Sequence, residues 1–283
     1  MSCGAPGEVR VNGLRLRTHA WPSPGRPRAL LLHSLAAHGH WWDWVAPPLA
    51  EHFDVLALDF RGHGGSDRAA GGAYGFDDYA GDLVAALDAL GGAPPVVIGH
   101  SMGGYVSAWL AARHPGRVAG VVIADILTTW RPDLAQVARR QAERVPPEFA
   151  SPGLAGERFR LMPPDTAAPP ERTRHLGEAG VVERAPGIWT HAFDHAVFLH
   201  PPVDPWPFLP RIGCPALVVH GEASTIMDAE TCGRVAAAIP HGRAVTLPGA
   251  HHHLIIEAPE RFSRMVADWH RAIIGACGDT GSS

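Results

Sequence analysis

The sequence predicts an α/β protein in which a mostly parallel sheet is covered by helices on both faces, with a helical segment inserted in its second half. Three observations predict it. Five continuous apolar runs, ALLLH (29–33), VLALD (55–59), VVIG (96–99), VVIAD (121–125) and ALVVH (216–220), are each followed by a Gly-, Ser- or Asp-rich turn and mostly by a helix-like stretch. Continuous rather than alternating hydrophobicity marks strands buried on both faces, as in parallel sheets. The opening EVRVNGLRLRTHAW alternates instead, about an Asn-Gly pair, and predicts an antiparallel hairpin at one sheet edge. Between about residues 127 and 210 the strand-helix alternation stops in a Pro- and Arg-rich stretch containing helix-like pieces such as DLAQVARRQAERV. A bare loop of that length is foreign to a compact domain. Residues 127–210 are therefore expected to be a helical cap, and 1–126 with 211–283 the two parts of one sheet domain.

The remaining elements follow in order. VVIG runs into YVSAWLAARHP, which has helical spacing, and AVTL (244–247) supplies a last strand. PERFSRMVADWHRAII (259–274) reads as a closing amphipathic helix, and only GDTGSS at the end is expected to be disordered. With 283 residues, 46% hydrophobic and 18% charged, the chain can bury a substantial core. Its formal net charge of -4, with Lys and Arg scattered, advertises no nucleic-acid or membrane partner, so a small-molecule substrate is expected. No apolar stretch approaches the roughly 18 residues of a membrane span, and the first residues lack a signal-peptide pattern. A cytoplasmic location is the expectation.

The four cysteines, Cys3, Cys214, Cys232 and Cys277, are far apart and never form C-x-x-C, which predicts free thiols. Eighteen histidines, with HSLAAHGH at 33–40 and His251, His252 and His253 in a row, invite a metal reading. Neither cluster has a carboxylate or cysteine at the spacing of known zinc motifs, so no metal and no cofactor are assigned.

Chemistry is concentrated at one turn. Gly99, Ser101 and Gly103 form G-x-S-x-G between a buried strand and a helix. The glycines relieve crowding at a sharp strand-to-helix turn, and Ser101 is exposed at the sheet edge as a nucleophile. The first backbone N-H groups of the next helix favour a developing negative charge.

The chain here resembles the α/β-hydrolase superfamily, through LLLHSL, DFRGHGGSD, GHSMGG, HGE and PGAHHHLIIEAPERF in the family's order. The resemblance implies an eight-stranded sheet, a nucleophile-acid-histidine triad and a helical cap inserted after strand six. DFRGHGGSD corresponds to a turn whose role is structural. The family's catalytic histidine lies seven positions before the proline of a segment like EAPERF, which is His252; His251 and His253 are assigned to packing or supporting hydrogen bonds. Many relatives carry the acid as G-x-x-D after strand seven, but GEAS puts Ser224 there. Asp125, at the end of VVIAD, replaces it, a position some branches use; Asp228 and Glu222 are the rivals, and capping of the next segment is the structural alternative for Asp125. The oxyanion hole is expected from the amides of Met102 and Leu35, with Ser34 where the family's glycine usually stands.

Nine tryptophans, with Trp41, Trp42 and Trp44 after the oxyanion turn and Trp130 and Trp189 in the cap, favour a large apolar or aromatic substrate, with Trp41, Trp42, Trp130 and Trp189 as its expected contacts. A serine nucleophile argues against the family's haloalkane dehalogenases and epoxide hydrolases, which use Asp. The expectation is a serine hydrolase of carboxylic esters or lactones. Carbon-carbon or thioester hydrolysis and acyl transfer are its variants, and a non-hydrolytic binding protein is the alternative class.

Overall fold

The computed structural model describes residues 3–278, so the side chain of Cys277 and all but Gly278 of the expected disordered tail lie outside what is described. Eight strands form one sheet: β1 (Ala5–Val11), β2 (Leu14–Trp21), β3 (Arg28–Leu32), β4 (Asp54–Leu58), β5 (Val96–His100), β6 (Gly120–Ala124), β9 (Ala216–Gly221) and β10 (Gly242–Leu247). Their spatial order is β1-β2-β4-β3-β5-β6-β9-β10. From β4 to β10 every pair is parallel, while β1 and β2 are antiparallel. Val11 pairs with Leu14 across Asn12 and Gly13, both at positive φ (51° and 78°), so the hairpin closes in two residues as Asn-Gly favours.

The continuous apolar runs are explained by two separate cores. Leu30, Leu32, Val97, Val121 and Ile123 face one core with α2 (Phe76–Leu90), α3 (Met102–Arg113) and α7 (Ala229–Ala237). Their strand neighbours Leu31, Ile98 and Val122 face the other, with α1 (Ala46–Leu49), α8 (Leu254–Glu257) and α9 (Pro259–Gly278). A strand covered on both sides has no position where a polar side chain meets water. At roughly 25 cal/mol per Å² of apolar area removed from water, this two-sided burial is the principal stabilising contribution.

The segment between β6 and β9 holds α4 (Pro132–Ala142), α5 (Pro152–Arg158) and α6 (Pro170–Ala179). It also holds a hairpin, β7 (Val181–Ala185) with β8 (Ile188–His191), which the reading of this stretch as purely helical lacks. Both strands are short, β7 is largely exposed and β8 only partly buried, so they carry no apolar run, and backbone bonds between Phe149 and Trp189 (2.8 and 2.9 Å) hold β8 from a distant segment. The closing helix runs past residue 274 to Gly278. Among the described residues, no helix is long and apolar enough to cross a membrane.

Candidate active site

Ser101 sits between β5 and α3 with φ 53° and ψ -119°, a conformation that L-residues seldom adopt. The glycines around it are sterically required. A Cβ at Gly99 would lie 2.2 Å from the Gly103 carbonyl oxygen, and one at Gly103 would lie 2.2 Å from that of Leu32. Without side chains at these positions, α3 approaches β3 and β5 closely enough to project Ser101 from the sheet's C-terminal edge. The Ser101 N-H donates to Ala124 O (2.8 Å), tying the elbow to the end of β6.

The next residue on β6, Asp125, is fully buried, and its φ of 50° turns it out of the strand. Its Oδ1 accepts from His252 Nδ1 at 2.8 Å and from the Ser224 hydroxyl at 2.7 Å, and its Oδ2 accepts from the Gly221 N-H at 2.9 Å. Three donors therefore hold one carboxylate. Ser224, at the place where many relatives have their acid, supplies one of them, a role the sequence reading does not foresee. The rivals are engaged elsewhere: Asp228 caps α7 by accepting from Thr231 N (2.7 Å), and exposed Glu222 accepts from Gly249 N (2.7 Å).

With Nδ1 donating to Asp125, the Nε2 of His252 is left as the acceptor that a nucleophile's base requires. The flanking histidines have other partners. The His251 N-H donates to Glu257 (2.6 Å), and His253 Nε2 donates to Pro163 O in the insertion (2.8 Å).

The residue before the nucleophile links these parts. His100 Nε2 donates to the His252 carbonyl (2.7 Å), so its Nδ1 accepts from the Ser34 hydroxyl (2.6 Å). Ser34 thus fixes the turn that carries Leu35 by a bond that glycine could not make. His33 Nδ1 donates to Ser34 O (2.7 Å) and its Nε2 accepts from Phe60 N-H (3.0 Å), joining the same turn to the DFRGHGGSD segment. In that segment Asp59 accepts from Gly39 and Gly65 amides and Arg61 pairs with Asp82 at 2.6 Å, all structural bonds.

These supporting histidines are neutral. Burial, then the proximity of His63, pulls His33 down to about 3; burial pulls His63 to about 4 and His100 well below its ordinary value. Above pH 7 folded and unfolded chains bind no extra protons here. Below about 6.5 the unfolded chain takes up protons that the folded chain refuses, so stability falls with pH down to the folded values. At pH 5 His33 and His63 each cost about 2 kcal/mol, against roughly 5–15 kcal/mol for a whole domain. The urea unfolding midpoint is therefore expected to drop sharply from pH 7 to pH 5; an unchanged midpoint contradicts this assignment of neutral histidines.

Ser101, Met102 and Leu35 line a partly open cavity of about 190 Å³ whose other walls come in part from the insertion. Phe76 and Tyr105 complete its floor, and Leu127, Trp130, Leu134, Val137, Met162 and Phe198 come from the segment above, leaving an apolar lining with Gln141 and His200 at its polar points. The Ser101 hydroxyl makes no protein hydrogen bond among the described residues. Of the four tryptophans expected at the substrate, only Trp130 lines the cavity. Trp42 is fully buried against Phe262 and Trp41 is buried beside His253, both in the core beneath the sheet, and Trp189 belongs to the β8 hairpin. Closeness in sequence to the oxyanion turn misleads here, because the short helical turn Gly39–Trp42 folds away from the cavity. Phe76 and Tyr105 carry no local signal that separates them from core aromatics.

The sequence profile of the α/β-hydrolase fold matches residues 27–259. RutD of Caulobacter segnis, named provisionally as a carbamate hydrolase, is 38% identical over 125 residues, 44% of this chain, which spans less than half (46%) of that protein. Epoxide hydrolase A of Mycobacterium tuberculosis is 33% identical over 208 residues, 65% of this chain and 64% of that one. The crystal structure of an enol-lactonase from Burkholderia xenovorans superposes with a TM-score of 0.73 at 25% identity, covering 94% of this chain and 100% of that chain.

Proposed function

The chain belongs to the α/β-hydrolase family, and on that premise we propose that it is a serine hydrolase cleaving carboxylic esters or lactones with an apolar or aromatic group. The observation that carries the proposal is the buried Asp125-His252 pair, 2.8 Å apart, in which Asp125 directly follows Ala124, whose carbonyl accepts the N-H of a strained Ser101 lining an apolar cavity. In the proposed sequence His252 Nε2 takes the Ser101 proton as Oγ attacks the carbonyl carbon. The amides of Met102 and Leu35 stabilise the oxyanion. Collapse of the tetrahedral intermediate breaks the acyl-oxygen bond, and His252 returns the proton to the leaving alkoxide. Water, deprotonated by the same imidazole, then releases the acid from Ser101. Asp125 orients the ring throughout.

Similarity to an epoxide hydrolase raises the competing possibility of an alkyl-enzyme ester, but in that branch of the family an aspartate stands where this chain has Ser101. A serine alkoxide forms an acyl ester from a carbonyl substrate; it gives an ether, which water does not hydrolyse, if it opens an epoxide.

A series of p-nitrophenyl esters from acetate to decanoate tests the proposal. The expected result is a burst of p-nitrophenolate matching the enzyme concentration, with kcat/KM rising as the acyl chain fills the cavity. Trp130→Ala should lower kcat/KM for the longer esters by about tenfold while leaving acetate nearly unchanged. No hydrolysis across the series, or a rate indifferent to both chain length and Trp130, overturns it.

A further inference from the structure

Away from the cavity, four side chains from three distant parts of the chain converge: Cys3, His40 and Asp43, and His175 on α6. One ligand-type atom of each lies within 4.8 Å of all the others. Asp43 Oδ2 is the common vertex, 2.9 Å from His175 Nε2, 3.0 Å from His40 Nδ1 and 3.4 Å from Cys3 Sγ. Zinc bonds of about 2.0–2.3 Å at tetrahedral angles put neighbouring ligand atoms about 3.3–3.6 Å apart. Each of the three separations is within a few tenths of an ångström of that range.

We propose that Cys3, His40, Asp43 and His175 form a structural zinc site that fastens the N-terminal segment and the inserted α6 to the sheet domain. The donor set, one sulfur, two imidazole nitrogens and one carboxylate oxygen, is zinc's, whereas calcium and magnesium take oxygen. Four protein ligands leave no open position, which makes the role structural.

Two further observations favour a cation over a simple hydrogen-bonded cluster. The Asp43 side chain is entirely buried, and its other oxygen, Oδ1, has no hydrogen-bond partner among the described residues. His40, His175 and Cys3 are partly open to solvent, giving an ion a way in. On binding, the Cys3 thiol gives its proton to solvent and the sulfur bonds the metal as thiolate.

The sequence assigns no metal because the spacing is invisible in it: His40 and Asp43 are separated from Cys3 by the β1-β2 hairpin and β3, and Asp43 lies 132 positions before His175. The consequence is mechanical. α6 also accepts a hydrogen bond from His38 at Leu176 O (3.1 Å), so a metal beside it would set how the insertion lies over the cavity.

The test uses tag-free protein stripped with a chelator, exposed to zinc chloride and dialysed against metal-free buffer. About one zinc per chain should be retained by elemental analysis, with the melting temperature raised by about 5 °C. Asp43 is buried, so the exposed ligands are changed instead: His175→Ala and Cys3→Ser should each weaken zinc binding at least tenfold in a folded protein. Cobalt in place of zinc should show a thiolate charge-transfer band in the near ultraviolet that vanishes in Cys3→Ser. Retention of no zinc by the wild type overturns the proposal. So does equal retention by the wild type and either variant, which would place the ion on other histidines or deny one of these ligands. Neither variant touches the catalytic residues, so ester hydrolysis is read separately.

Discussion

Asp125→Asn should leave a folded protein whose turnover is lower by about 10⁴, the loss measured when the equivalent aspartate of a serine protease is replaced in the same way. The geometry here explains why no orientation of the new amide can succeed. With its oxygen toward His252 and Ser224, its NH2 group faces the Gly221 N-H, two donors in a buried space. Turned over, it presents NH2 to His252 Nδ1, and the imidazole must then carry its proton on Nε2, where it can no longer accept one from Ser101. The first arrangement leaves a buried donor unsatisfied at a cost of about 1–3 kcal/mol. A modest fall in melting temperature should therefore accompany the kinetic loss. Asp228→Asn, which keeps a capping oxygen for α7 and removes only an exposed charge, is expected to be within a few-fold of wild type. If Asp228→Asn abolishes ester hydrolysis while Asp125→Asn stays near wild type, the loop after β9 supplies the acid and the assignment fails.

Ser101→Ala should abolish the burst and lower turnover by about 10³–10⁶, depending on how much the remaining oxyanion amides and cavity accelerate attack by water. The substitution removes one oxygen at a half-buried position where no protein hydrogen bond is lost. Stability should consequently be unchanged, and the positive φ that any L-residue finds costly is the same for Ala as for Ser. A full kinetic loss with an unaltered melting temperature is the signature of a nucleophile. Turnover within tenfold of wild type would move the chemistry elsewhere.

The sheet was legible because parallel strands must be apolar on both sides, and Leu30 and Leu31 do face opposite cores. The β7-β8 hairpin was not, since the exposed residues of β7 need no apolar pattern and Phe149 aligns β8 from far away. The elbow around Ser101 was legible because only glycine fits at 99 and 103, a steric demand written directly in residue type. His252 could be placed by its distance from Pro259, and Asp125 by the missing carboxylate at 224. What Ser224 does instead could not be read, since a hydroxyl's partner depends on which strands are neighbours. The same holds for Ser34 with His100. Trp41 and Trp42 pack in the core rather than on the cavity, a difference the sequence hides because a tryptophan near this turn looks the same there whether it points to the cavity or to the core.

The central claim is that Ser101 is a nucleophile activated by His252 and Asp125. Intact-mass analysis after brief exposure to a fluorophosphonate tests it most directly, because phosphonylation reports the activated hydroxyl whatever the natural substrate. The account predicts one adduct per wild-type chain, mapped to the peptide containing Ser101, absent in Ser101→Ala and much slower to form in Asp125→Asn. A folded wild-type protein that remains unlabelled, or an adduct that persists in Ser101→Ala, would contradict it.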